Sequence, residues 1–265
     1  MDILIGFITS LLISYGAYKK NSLSTSGFIF ATILGTLIYF FGGIFFWILM
    51  IGFFISSSLL TKFKDKDKEL LEEINAKTGA RDYIQVMANG SLALFYSFLY
   101  YITKNPIYII PYTVCFAAVN ADTWSSEIGV LSKKSPISIL TFRKVSKGQS
   151  GAVSLLGTLA GLLGSLFIGV LFIIGYVFFF RWEIKILYYS IIIVVSGFAG
   201  SIIDSFLGAT IQAKYKCTIC KKVTENRFHH EKQTIHIKGF KFMNNDAVNF
   251  LSSFIATILA YMLLK

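Results

Sequence analysis

The chain has 265 residues, 55% hydrophobic and only 15% charged, with a mean hydropathy of +0.66. Soluble domains carry about one quarter charged residues, so this composition excludes an ordinary soluble protein and predicts a membrane protein. The net charge of +11 would suit a nucleic-acid partner, but its distribution along the chain argues against one.

Apolar runs near the roughly 20 residues needed to cross a bilayer recur throughout. Eight spans are predicted, near residues 3–18, 27–42, 44–60, 84–103, 106–131, 150–180, 186–211 and 245–264. Gly42-Gly43 is the only break between the second and third, which predicts a tight helical hairpin, since one long helix would overshoot the bilayer. The first span lacks a basic start and a small-residue cleavage site, so it reads as a retained helix. These lengths suit helices rather than barrel strands. The expected fold is therefore an all-α polytopic transmembrane bundle, one integral membrane domain over 1–265.

Between spans, the stretches 19–26, 61–83, 132–149 and 212–244 hold 2, 6, 5 and 8 Lys or Arg, 21 of the 25 in the chain. Positive loops stay in the cytoplasm, so all four are expected inside a cell membrane and both termini outside. Topology signalling and contact with lipid headgroups account for most of the charge.

On that topology the polar groups of the spans gather at the cytoplasmic end. Asn89 lies early in span four, Asp122 and Glu127 late in span five, Asp204 late in span seven, and Asp246 opens span eight. Ionisable groups at membrane depth persist where they pair, bind ions or line wet cavities. Gly200 and Gly208 each lie one turn from Asp204 on its face, and Asp246 and Asn249 share a face at i,i+3. Asp122 and Glu127 are i,i+5, roughly 140° apart on a regular helix. They diverge unless the helix unwinds or each faces a different partner.

Acidic and amide oxygens converging near a basic rim suit Mg²⁺, which shares its oxygen ligands with phosphates. The segment "LTFRKVSKGQSGAVS" offers Arg143, Lys144 and Lys147, two glycines, and Ser150 as the N-cap of an anion-binding helix start. It is not a Walker A loop. Taken alone, a basic turn and a phosphate cradle fit it equally well; its position beside the carboxylates favours the cradle.

In the 212–244 loop, "YKCTICKKVTENRFHHEKQTIHIKG" places Cys217-x2-Cys220 ahead of His229, His230 and His236. In a cytoplasmic loop this pattern favours structural zinc over a disulfide, with Cys217, Cys220, His229 and His236 as the ligand set. A reduced, exposed loop is the other reading, because the His spacing matches no standard finger. The alternation in "TIHIKGFKF" predicts a short β-hairpin in the same loop.

The segments "NADTWSSEIGVLSK", "KGQSGAVSLLGTLAGLLGS", "GSIIDSFLGATIQ", "GARDYIQVMANG" and "SLSTSGFIFATILG" resemble, in order and over nearly the full chain, one polytopic membrane family. That family includes phytyl-phosphate kinase and the transmembrane protein 19 group, and many members have no known function. The resemblance implies a kinase that moves a phosphoryl group from a nucleoside triphosphate, with CTP one candidate donor, to an isoprenoid monophosphate lipid. Carried onto this chain, its motifs cover Asn89, Asp122, Glu127, Lys147, Ser150 and Asp204. Asp122, Glu127 and Asp204 would then hold Mg²⁺, with Asp246 and Asn249 as further candidates, while Arg143, Lys144 and Lys147 neutralise phosphates.

Two rival readings share these residues. An ion-coupled transporter also carries intramembrane Asp and Asn beside glycine-broken helices, but it needs them near the midplane. A lipid-phosphate nucleotidyltransferase would use the same carboxylates and Mg²⁺ and release pyrophosphate.

Overall fold

A computed structural model of the chain describes residues 2–63 and 79–265. Among these are seven α-helices: α1 (Asp2–Lys19), α2 (Thr25–Lys62), α3 (Tyr83–Thr103), α4 (Ile109–Gly129), α5 (Leu155–Phe179), α6 (Lys185–Thr210) and α7 (Asn245–Leu263). Each of the eight predicted spans falls on one helix or on one limb of α2. The helices α2, α5, α6 and α7 are long and apolar enough to cross a membrane by length and composition. Side chains such as Leu12 (66% exposed), Ile174 (60%) and Ile191 (61%) leave the bundle's outer surface apolar, as a lipid solvent requires.

The α2 helix is broken at Gly43, whose φ of 73° and ψ of −171° belong to a region essentially restricted to glycine. Its two limbs run back along each other. A Cβ on Gly35 would stand 3.3 Å from Met50 Cε and 2.6 Å from Ser10 Oγ, and Trp47 Nε1 donates to the same Ser10 hydroxyl at 2.9 Å. The predicted hairpin is therefore present, with α1 packed on it. Gly43→Ala is expected to cost about 1–3 kcal/mol of stability, read as a lower midpoint in thermal unfolding of the detergent-solubilised protein.

The α4 helix is the bundle's centre. Every residue from Ile109 to Ala121 is buried, as expected of a helix that is apolar all round. Asn120 fastens it on two sides, donating to Gly164 O on α5 at 2.8 Å and accepting from Ser56 on α2 at 2.9 Å. Close approach depends on glycine here: a Cβ on Gly200 would stand 2.6 Å from Ala118 Cβ, and one on Gly164 3.0 Å from Asn120 O.

Among the described residues, seven short strands lie in two interhelical segments. β1 (Ile137–Ser138) pairs with β2 (Ala152–Val153) between α4 and α5. Between α6 and α7 come β3 (Lys214–Lys216), β4 (Val223–Thr224), β5 (Phe228–His229), β6 (Lys232–Gln233) and β7 (Ile235–Lys238). They form a three-stranded sheet in the order β4-β3-β7 and a separate β5-β6 hairpin. The short β-hairpin predicted in this loop is thus present, as β5-β6. β7 is followed by Gly239 (φ 77°) and pairs with β3, while the tight turn of the hairpin lies upstream at 230–231.

Candidate functional site

The basic loops meet at one end of the bundle. Leu23 and Arg81 form a backbone bridge, and Lys62 Nζ donates to Lys20 O, joining the first loop to the second. Lys214 Nζ donates to Ser150 O at 2.9 Å and Ser150 Oγ to Glu225, joining the third to the fourth. Among them opens a cavity of about 740 Å³.

The end of α4 projects into this cavity. The helix stays regular through Gly129, and both Asp122 and Glu127 line the cavity. The i,i+5 separation is resolved by different neighbours: Asp122 interacts electrostatically with Asp204 on α6, and Glu127 with Arg81. Ser252 donates to Asp204 Oδ2 at 3.0 Å. Asn249, with its amide oriented to satisfy both neighbours, donates to the same oxygen at 3.0 Å and to Asn245 O at 3.2 Å. Both donations engage Oδ2. No recorded ion pair joins a Lys or Arg to Asp122 or Asp204 among the described residues.

Asn89, Lys147, Ser150 and Asn249 also line the cavity. Lys147 Nζ is held by Val130 O at 3.1 Å. Arg143 and Lys144, predicted to join them, are exposed on the β1–β2 loop and are not part of the lining. Their backbone explains this, since Arg143 O accepts from Ser138 N and Lys144 bridges to Ile137, folding the segment as a ribbon outside the cavity.

Ser150 is not an N-cap. Gly148 and Gly151 (φ 76° and 80°) turn the chain into β2, and α5 starts only at Leu155, capped by Ser154 Oγ, which accepts from Gly157 N at 3.1 Å. Asp246, a predicted metal ligand, is 4% exposed and lies outside the lining. It occupies the first turn of α7, where free N–H groups favour a carboxylate. Asn245 and Asn249, at i,i+4, are the residues of that helix that line the cavity.

Arg81, Gln85, Glu225 and Gln212, none of them among the residues predicted from the sequence, also line the cavity. Gln85 and Asn89 are one turn apart on one face of α3, Arg81 precedes the helix in the backbone bridge to Leu23, and Asp82-x-x-Gln85 is a capping box with bonds of 2.9 and 3.0 Å that starts α3 at this point. Arg81 lies 5.8 and 5.9 Å from the ring centroids of Phe53 and Phe54. Burial lowers its pKa, opposed by the Glu127 carboxylate. Lys214 is lowered by burial and by Lys238, opposed by Glu225.

Three lining atoms, Ser58 Oγ, Asn89 Oδ1 and Gln212 Nε2, are buried without a hydrogen-bond partner. Buried polar groups are nearly always satisfied, and unpaired atoms in residues that line a cavity suit a polar occupant. At Arg81, Gln85 and Asn89 the cavity shares its lining with an apolar crevice of about 60 Å³ between α1, α2 and α3, walled by Met50, Phe53 and Phe116.

In the 212–244 segment the ligand atoms of Cys217, Cys220, His229 and His230 lie within 4.8 Å of one another. His236, predicted as a ligand, is replaced by His230 in this group. The register Tyr215↔His236 between β3 and β7 sets the His236 ring against Tyr215, centroids 5.4 Å apart. The β5–β6 turn brings His229 and His230 to the cysteines instead.

The fold and cavity together define a helical integral membrane protein with a charged, amphipathic site at one end of its bundle. The chain belongs to the family described as integral membrane protein DUF92, whose model matches residues 8–257. It is 32% identical to Protein PGR of Arabidopsis thaliana over 95% of this chain and 92% of that protein. It is 34% identical to the uncharacterized membrane protein MJ0933 of Methanocaldococcus jannaschii over 81% and 83%. With the chloroplastic Protein VTE6 of Arabidopsis thaliana it shares 29% over 92% and 66%. No solved structure matches.

Proposed function

We propose that this protein is a membrane prenyl-phosphate kinase, transferring the terminal phosphoryl group of a nucleoside triphosphate to an isoprenoid monophosphate to give the diphosphate. The observation that carries this reading is the joining of a charged cavity to an apolar crevice at Arg81, Gln85 and Asn89. A phosphate head suits the charged cavity, and the apolar residues beside it suit the first carbons of an isoprenoid tail whose remainder lies in lipid. The motif resemblance to the phytyl-phosphate kinase family supports it, and the positive-inside rule puts the cavity at the cytoplasmic face, where nucleotides are available.

The donor set fits Mg²⁺. Asp122 and Asp204 are carboxylates of like charge in one cavity with no recorded cationic partner among the described residues, the setting in which a hard divalent ion relieves repulsion. They would hold the ion, with Glu127 alongside; when bound, it supplies charge neutralisation to the phosphates and orients them. Arg81 and Lys147, with Lys20 and Lys62 at the rim, stabilise charge on the transferring group, which is most of what phosphoryl transfer asks of a protein. The unpaired Gln212 Nε2 would donate to phosphate or nucleotide oxygens, and the unpaired Asn89 Oδ1 would accept from a hydroxyl or a metal-bound water. The acceptor is already an anionic nucleophile, so none of these residues has to act as a strong base. Confinement of the carboxylates to one end of the bundle disfavours a midplane carrier.

Products decide the matter. Purified protein incubated with Mg²⁺, a panel of nucleoside triphosphates and prenyl monophosphates should yield lipid diphosphate and nucleoside diphosphate in equal amounts. Pyrophosphate together with a nucleotide-linked lipid would establish the nucleotidyltransferase instead, and no reaction across the panel would refute both.

A further inference from the structure

We infer that Cys217, Cys220, His229 and His230 form a tetrahedral Zn²⁺ site that fastens the segment between α6 and α7. The four ligand atoms lie within 4.8 Å of one another, and Cys220 Sγ is 3.6 Å from His229 Nδ1. Bonds of about 2.0–2.3 Å to tetrahedral zinc place ligand atoms roughly 3.3–3.8 Å apart, so a modest contraction completes the shell.

The backbone around the four residues supports the same assignment. Ile219 N–H donates to Cys217 Sγ at 3.3 Å, a bond that stabilises a thiolate in its ligating form. The turn closes with Cys217 N donating to Lys222 O at 3.0 Å. Of the six non-glycine residues with positive φ among the described residues, three are Lys221, His230 and Glu231, all beside or within this group. His230 and Glu231 form the two-residue turn between β5 and β6, a position that ordinarily selects Asn-Gly. Such conformations persist where something else holds them, and metal bonds from His229 and His230, at the start of the turn, would do so.

The segment also needs a staple. Its strands are two to four residues long, too short to enclose a core of their own, and Phe228, Ile235 and Phe242 are exposed at 67%, 60% and 74%. Small β modules of this kind draw their stability from metals or disulfides. The cysteines are free thiols here. A clamped segment in turn holds Glu225 on Ser150 at the edge of the cavity.

The test is metal content, which reads no catalytic activity. Full-length protein purified in detergent without chelator, from cells supplied with zinc, should carry close to one zinc per chain by elemental analysis. Exchange into Co²⁺ should give the intense visible bands of a tetrahedral site together with thiolate-to-cobalt charge transfer. Cys217→Ser and Cys220→Ser should bring the count near zero, whereas His236→Ala should leave it unchanged and His229→Cys should retain metal. Loss of metal in His236→Ala with retention in His230→Ala would overturn the ligand set. Wild-type protein without stoichiometric metal, a weak octahedral Co²⁺ spectrum, or a Cys217–Cys220 disulfide found by mass spectrometry would overturn the site.

Discussion

Replacing either Asp122 or Asp204 by asparagine is expected to lower kcat about 10³-fold, the factor that several kcal/mol of lost charge stabilisation represents. Thermal stability should be unchanged or higher. Both carboxylates line one cavity, they act on each other electrostatically, and no recorded ion pair compensates either among the described residues. Removing one charge relieves repulsion, so a residue retained for packing and a residue retained for chemistry respond oppositely. Asparagine keeps the shape and can still accept from Ser252 at position 204. Initial rates and thermal unfolding of the same preparations check both halves. Near-normal turnover in either variant would remove that residue from the machinery, and a large drop in stability would mark it as structural.

The second large effect is expected at Arg81. Arg81→Gln should reduce kcat/KM by about 10²–10³-fold, the scale of losing one charge-stabilising donor, and Arg81→Lys should recover only part of it, because an ammonium cannot reproduce the planar fork. The fold should survive. Arg81 N donates to Ser22 O and its carbonyl accepts from Ser24 N, each at 3.0 Å, and these bonds do not depend on the side chain. The contacts with Phe53 and Phe54 account for any modest loss of stability. Steady-state kinetics with prenyl monophosphate as the varied substrate checks this, and unchanged kinetics would show that Arg81 faces solvent rather than phosphate during turnover.

Much of the bundle is legible in the sequence because bilayer thickness and backbone hydrogen bonding leave few solutions for long apolar runs. Gly43 announced its own break, since no other residue type tolerates its backbone angles. Asp122, Asp204 and Asn89 stand out in the chain for one reason, the expense of polar atoms among apolar neighbours.

The same contrast is absent in the loops, where charge is ordinary. Arg81 reads there as one of six topology charges in its stretch, and Glu225 as one more solvated carboxylate. Their places depend on loop packing that composition does not encode. Asp246 shows the limit of helical-face arguments: it shares a face with Asn249 on paper, yet the seating of α7 buries it while Asn245 and Asn249 reach the cavity. His236 and His230 differ for a strand reason. Pairing with Tyr215 commits the first to the sheet, and a two-residue turn presents the second, neither of which spacing from the cysteines reveals.

Asp122 and Asp204 are expected to hold a divalent cation jointly for a nucleotide. Mn²⁺ can stand in for Mg²⁺, and the free ion is counted by electron paramagnetic resonance. Titrated with a non-hydrolysable nucleotide present, the wild-type protein should remove at least one Mn²⁺ per chain beyond what nucleotide alone binds, and the Asp122→Asn, Asp204→Asn double variant should remove none. Equal uptake by the two proteins, at equal affinity, would contradict it.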